Sequence, residues 1–196
     1  MKTRAFLISI VLSATLIIAG CSGGQPDTCP DMGLITSMET PDSSLTMDNI
    51  VGSTAPNFTW QVVDCKSLEP TNQNMSLTDL HGKPVLIVFT YAEGSGCKEC
   101  AQQMPYIEAV YNQPSQELTV LNIYTDTNSG SVRDYTADKA FLTFPALVDV
   151  NKKMGPYCII RGYPVNVLID SEGIIKQYKV GRFIDQAEVE SWLESL

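Results

Sequence analysis

Histidine is almost missing from these 196 residues: His81 is the only one. That count excludes a metal centre built on imidazole, and a zinc site on the cysteines would lack its remaining ligands. Bases are scarce too, with 13 lysines and arginines against 22 aspartates and glutamates. Lys2 and Arg4 stand at the very start, so the rest of the chain carries 11 bases against the same 22 acids. A surface of that sign excludes nucleic acid and anionic lipid as partners held by charge. Between Ser22 and Ile50 there is no base at all, while Asp27, Asp31, Glu39, Asp42 and Asp48 stand among Gly, Ser and Pro. Beyond Ala19 no apolar run approaches the roughly 20 residues that a membrane-crossing helix needs. No internal repeat or low-complexity block interrupts Val51 to Leu196.

What is present begins with a leader. Lys2 and Arg4 precede an apolar or small-residue run from Ala5 to Ala19, and Gly20 and Cys21 follow. A positive start, a short apolar stretch and small residues before a cleavage point read as a secretory signal. Ile18-Ala19-Gly20-Cys21 resembles the bacterial lipobox, which implies diacylation of the Cys21 sulfur and a mature protein beginning there. Two acyl chains hold a protein on a bilayer where one binds only marginally. The chain thus divides into a leader (1–20), an acidic tether (21–50) whose composition cannot bury enough apolar surface to fold, and one domain (51–196).

Within the domain the apolar pattern predicts an α/β architecture. Asn57 to Val63 reads as a strand, and Met75 to Leu80 as a short strand and turn. Pro84 to Tyr91 is a continuous β-favouring run, the mark of a strand covered on both faces. Cys97 to Asn112 switches to helical period, with Cys97, Cys100, Ala101, Met104, Ile107 and Tyr111 on one face and Pro105 inside. Leu118 to Tyr124 is a second buried strand and Ser131 to Ala140 a weaker helix. Pro164 to Asp170 and Ile174 to Lys179 pair across Ser171-Glu172-Gly173, and Asp185 with Glu188 opens a last helix.

Cys97-Lys98-Glu99-Cys100 carries the chemistry. It follows a buried strand and opens a helix, and i to i+3 spacing lets the two sulfurs meet. Unpaired N–H groups at the helix start favour the Cys97 thiolate. Lys98 adds to that effect and Glu99 opposes it. Cys97 would then attack a partner disulfide, and Cys100, deeper in the helix, would resolve the mixed disulfide. An inert structural disulfide is the competing reading of the same four residues.

Several stretches occur in a fixed order around this pair: Ala55-Pro56-Asn57-Phe58, then Leu77 to Pro84, then Met104-Pro105 after the cysteines, then Gly162-Tyr163-Pro164, and Leu168 to Gly173. Together they resemble the extracytoplasmic thiol–disulfide oxidoreductases of the ResA and TlpA type. The resemblance implies a thioredoxin-like fold, a central mixed sheet flanked by helices with an added N-terminal β-hairpin. It implies a cis Pro164 beside the cysteines and a Tyr163 backbone that pairs with a substrate strand. The implied partners are protein thiols and disulfides, apocytochrome c among them, and an upstream membrane electron donor. No cofactor beyond the cysteines is implied. The chain also departs from the family's habit. Gly96 stands where an aromatic residue usually precedes the first cysteine, and Gln103 where related reductases often have Glu. Glu93 and Glu99 are the remaining candidates for proton handling.

Two other functions use the same fold. A peroxiredoxin-like peroxidase needs Thr and Pro shortly before its reactive cysteine, and Glu93-Gly94-Ser95-Gly96 supplies neither. A non-enzymatic copper-binding assembly module uses a CxxxC spacing with a distal His, whereas this chain has CxxC and no His after position 81. The direction of electron flow stays open. Charges such as Lys98 and Glu99 are each worth about 0.3–1 kcal/mol, against the roughly 7 kcal/mol that potentials of this fold span. Cys29, Cys65 and Cys158 are left over, an odd number. A Cys29–Cys65 bridge, which would pin the tether to the hairpin, is slightly favoured and leaves Cys158 a buried free thiol in an apolar stretch; a Cys65–Cys158 bridge with Cys29 free is the rival. His81, Trp60 and Trp192 are read as surface or packing residues.

Overall fold

The computed structural model describes residues 31–41, 44–92, 96–114, 117–125, 128–138, 142–157 and 162–196. Eight strands form one mixed sheet: β1 (Met32–Met38), β2 (Phe58–Val63), β3 (Pro70–Ser76), β4 (Val85–Thr90), β5 (Thr119–Tyr124), β6 (Ala146–Val148), β7 (Val165–Ile169) and β8 (Ile175–Val180), ordered β3-β2-β1-β6-β5-β4-β7-β8. The pairs β1–β6, β6–β5 and β5–β4 are parallel, and the outer pairs are antiparallel. Three helices accompany it, α1 (Lys98–Tyr111), α2 (Ser129–Asp138) and α3 (Gln186–Leu193).

The alternation of strand residues explains the layers. Ile87, Phe89, Leu121, Ile123, Val165 and Val167 face one side, where Phe58, Met154 and Tyr157 cover them. Leu86, Val88, Val120 and Leu168 face the other, against Cys97, Cys100, Met104 and Ile107 of the first helix and Phe183 and Val189 near the last. All six residues of β4 are buried. That is the arrangement its unbroken apolar run requires. Burial pushes the Tyr157 hydroxyl well above the ordinary tyrosine range, with Glu39 adding to the effect. It remains a donor, and bonds the Pro56 carbonyl at 2.6 Å.

The expected tether is corrected in part. Residues 32–38 are strand β1, inserted between β2 and β6, and Met32, Ile35 and Ile50 are buried. The acids of the segment flank this strand, whose own seven residues carry no charge. A composition averaged over the whole stretch hid them. Gly33 is needed there: a Cβ on it would stand 2.5 Å from the Trp60 ring and 2.7 Å from Leu147.

Other boundaries shift. The second strand of the N-terminal hairpin starts at Pro70, not Met75. Its polar, exposed sequence suits a sheet edge, where a first-position proline costs no ladder bond. A 3-10 helix (Leu77–Leu80) follows, capped by Ser76 and Asp79. Strand β6 is three residues long, too short for a periodicity to betray it. Asp185 caps α3 as read, accepting from the Glu188 amide at 2.9 Å. The Glu188 carboxylate bonds the Ile184 amide and Lys179 instead of returning to Asp185.

Candidate active site

Strand β4 ends at Thr90, and Cys97 is the N-cap of α1. Gly96, just before it, is buried at φ 67°, a conformation that a glycine takes without strain. Cys97 and Cys100 are joined, with an S–S distance of 1.97 Å and Cα atoms 5.1 Å apart. The Cys100 amide donates to Cys97 Sγ at 3.1 Å, so one of the orphan donors of the helix start is spent on the leading sulfur. Cys97 is 5% exposed and Cys100 0%. Both residues are buried, so the leading cysteine is not the exposed one its place at the helix start suggests, and Cys97 keeps the little exposure there is. Helix α1 runs unbroken through Pro105, whose ring removes the donor that would have reached Ala101.

Tyr163–Pro164 is a cis peptide immediately before β7. The Tyr163 ring packs against both apolar clusters, including the one that contains Cys97 and Cys100. Its hydroxyl accepts from Thr125 Oγ1 at 2.9 Å, and its ring meets Tyr91 edge-on at 5.5 Å between centroids. Tyr91 thus places an aromatic ring against the cysteine cluster although position 96 is glycine.

Lys98 and Glu99 are exposed. The Glu99 carboxylate accepts from Arg182 Nε at 2.8 Å, which ties it to the loop after β8. Glu93 lies outside the described residues, as do Cys21, Cys29 and Cys158. Cys65 follows β2, away from the pair, and packs with Met32 and Val63; it is itself disulfide-bonded. His81 is exposed, Trp60 is core, and Trp192 meets Phe183 edge-on at 4.9 Å. Among the described residues no group of three or more His, Cys, Asp and Glu is arranged to hold a metal ion. Nor is any described helix long and apolar enough to cross a membrane.

Sequence reasoning misses Asn166 and sees in Gln103 only a departure from the family's Glu; both are wholly buried. The signal for Asn166 was a single amide in an otherwise apolar five-residue strand.

Residues 51–178 match the model of the AhpC/TSA family. The chain is 31% identical over 147 residues to the thiol-disulfide oxidoreductase ResA of Geobacillus kaustophilus, covering 74% of this chain and 78% of that one. It is 29% identical to the thioredoxin-like protein YneN of Bacillus subtilis, over 66% and 71% of the two chains. The crystal structure of the thioredoxin domain of a Bacteroides vulgatus thiol-disulfide oxidoreductase superposes with a TM-score of 0.57 at 26% identity, covering 72% of this chain and 96% of that domain.

Proposed function

We propose that this chain, which belongs to the AhpC/TSA family and is a thioredoxin-fold thiol–disulfide oxidoreductase of the ResA/TlpA type, works at the bacterial cell envelope on protein thiols, held to a membrane by lipid on Cys21. The observation that carries the reading is the Cys97–Cys100 disulfide at the start of α1, with Tyr163, next to the cis Pro164, packed on the same cluster.

The chemistry follows from the two sulfurs. In the reduced protein Cys97 loses its proton, and the thiolate attacks one sulfur of a partner disulfide. A Cys97–partner bond forms, and the partner's other sulfur leaves as a thiolate. Cys100 then gives up its proton and attacks Cys97 Sγ, closing the bond seen here and releasing the partner's second thiolate. One disulfide is reduced and one dithiol oxidised; the two protons pass to the partner. The reverse sequence oxidises partner thiols with the same atoms. The Tyr163 backbone is the edge on which the partner strand docks. Partners are envelope proteins with reactive thiols, apocytochrome c among them, and a membrane electron donor resets the pair. Support for these partners comes from the ordered motifs around Cys97, Pro164 and Gly173.

Trapping tests the reading. A Cys100→Ser protein expressed with its leader should accumulate mixed disulfides with envelope proteins, seen as bands that collapse on reduction. Absence of any such band, in cells where Cys97 is shown to be reduced, contradicts it.

A further inference from the structure

The exchange chemistry makes no use of Gln103, one turn along α1 from Cys100. It is 0% exposed, and each of its polar atoms has a partner. Its Nε2 donates to Asn166 Oδ1 at 3.0 Å, and its Oε1 accepts from Asn166 Nδ2 at 3.2 Å and from the Phe183 amide at 3.0 Å. Asn166, equally buried, also donates from Nδ2 to the Gly181 carbonyl at 2.9 Å. The Gly181 amide in turn donates to the Pro164 carbonyl at 2.8 Å. Asn166 is cross-strand partner to Val88, which packs in the cysteine cluster, so the amide pair sits under the helix start.

Two amides facing each other in this way are mutually complementary. A side chain that is apolar, or that only accepts, leaves a buried donor or acceptor without its partner. The bonds run from α1 to β7, from β7 to the Gly181–Phe183 loop, and from the loop both to Pro164 and back to α1. A second, exposed contact joins the same loop to the same helix, since Arg182 bonds Glu99 four residues before Gln103. The cysteine-bearing turn and the Tyr163–Pro164 segment are thereby held in one register from two levels.

We propose that Gln103, acting with Asn166, is a positioning residue that sets the attacking sulfur in line with a partner disulfide docked at Tyr163–Pro164. The proposal rests on the functional reading above, because it needs a docked protein or peptide strand. A small disulfide that does not dock finds its own approach to Cys97 and is indifferent to the register.

The test compares the wild type with the double variant Gln103→Leu, Asn166→Leu. Replacing both removes the amide pair together, but it also leaves the Phe183 amide and the Gly181 carbonyl without these partners, so thermal unfolding establishes first that the variant is folded. Gln103→Met, which keeps the length of the side chain without adding a titrating group and loses the bonds to Asn166 and Phe183, carries the same test should the double variant unfold. Reduced protein is reacted in single turnovers with a peptide bearing one internal disulfide and with 5,5′-dithiobis(2-nitrobenzoate). With the peptide, the limiting rate should fall by roughly tenfold to a hundredfold, the scale of a misplaced reacting atom. The half-saturating concentration should stay unchanged, as should the rate with the small disulfide. Equal losses on both substrates, or no loss on either, overturn the proposal. A wild type that reacts with the small disulfide and with no peptide disulfide overturns the functional reading itself, and the proposal with it.

Discussion

The Cys100 amide nitrogen lies 3.1 Å from Cys97 Sγ, so Cys97 caps α1, and of the two residues it keeps the little exposure there is. Donation from that amide and the positive end of the helix favour a thiolate at Cys97 once the pair is reduced. Cys97→Ala should abolish exchange, and Cys100→Ala should leave attack intact but stall it at the mixed disulfide. Alkylation of reduced protein across pH, read residue by residue by mass spectrometry, should label Cys97 before Cys100. Labelling in the opposite order would reverse the two roles.

Strand β1 makes residues 32–38 part of the folded unit. A protein beginning at Val51 would bare Trp60 and Leu147 and lose the buried side chains of Met32 and Ile35, each worth about 1.5–3 kcal/mol. Its unfolding midpoint in urea should drop accordingly, or it should fail to fold, while a protein beginning at Asp31 keeps the sheet. Equal midpoints for the two would remove β1 from the stability of the domain.

Anchoring predicts a separation of location from folding. Cys21→Ser should release the protein from membranes and leave its thermal unfolding unchanged, because two acyl chains are needed for a stable hold. Fractionation after a high-salt wash reads the outcome, and a variant that still pellets refutes the lipid anchor.

Cys65 is disulfide-bonded, and Met32, three residues after Cys29 in sequence, pairs with Val63, two residues before Cys65. Cys29 is therefore the partner we expect. Such a bridge closes a loop of about 37 residues and contributes somewhat over 3 kcal/mol in the chain-entropy model. Non-reducing peptide mapping of envelope-derived protein should yield a Cys29–Cys65 peptide. A Cys65–Cys158 peptide would overturn that assignment.

How much of this was readable beforehand varied with the range of the interaction. The run Val85–Thr90, the cysteine spacing and the Asp185 cap are written in neighbouring residues, and each lies where the pattern put it. Strand β1 was illegible because its place depends on pairing with β2 and β6, far along the chain. Gln103 is the sharpest case. Set against a carboxyl it looked like a loss, yet its meaning depends on Asn166, 63 residues away, and on the Phe183 amide. Glu99 could be seen in the motif, but Arg182, which holds it, could not.

The central claim is that the Cys97–Cys100 bond is redox-active and not a structural staple. Equilibrating the protein in glutathione buffers of graded potential, quenching with an alkylating agent and counting modified cysteines by mass tests it directly. The account predicts one two-electron transition in which Cys97 and Cys100 change together, with a potential between about −270 and −120 mV, where exchange proteins of this fold lie. A pair that stays closed until below about −300 mV, the range of structural disulfides, would contradict it.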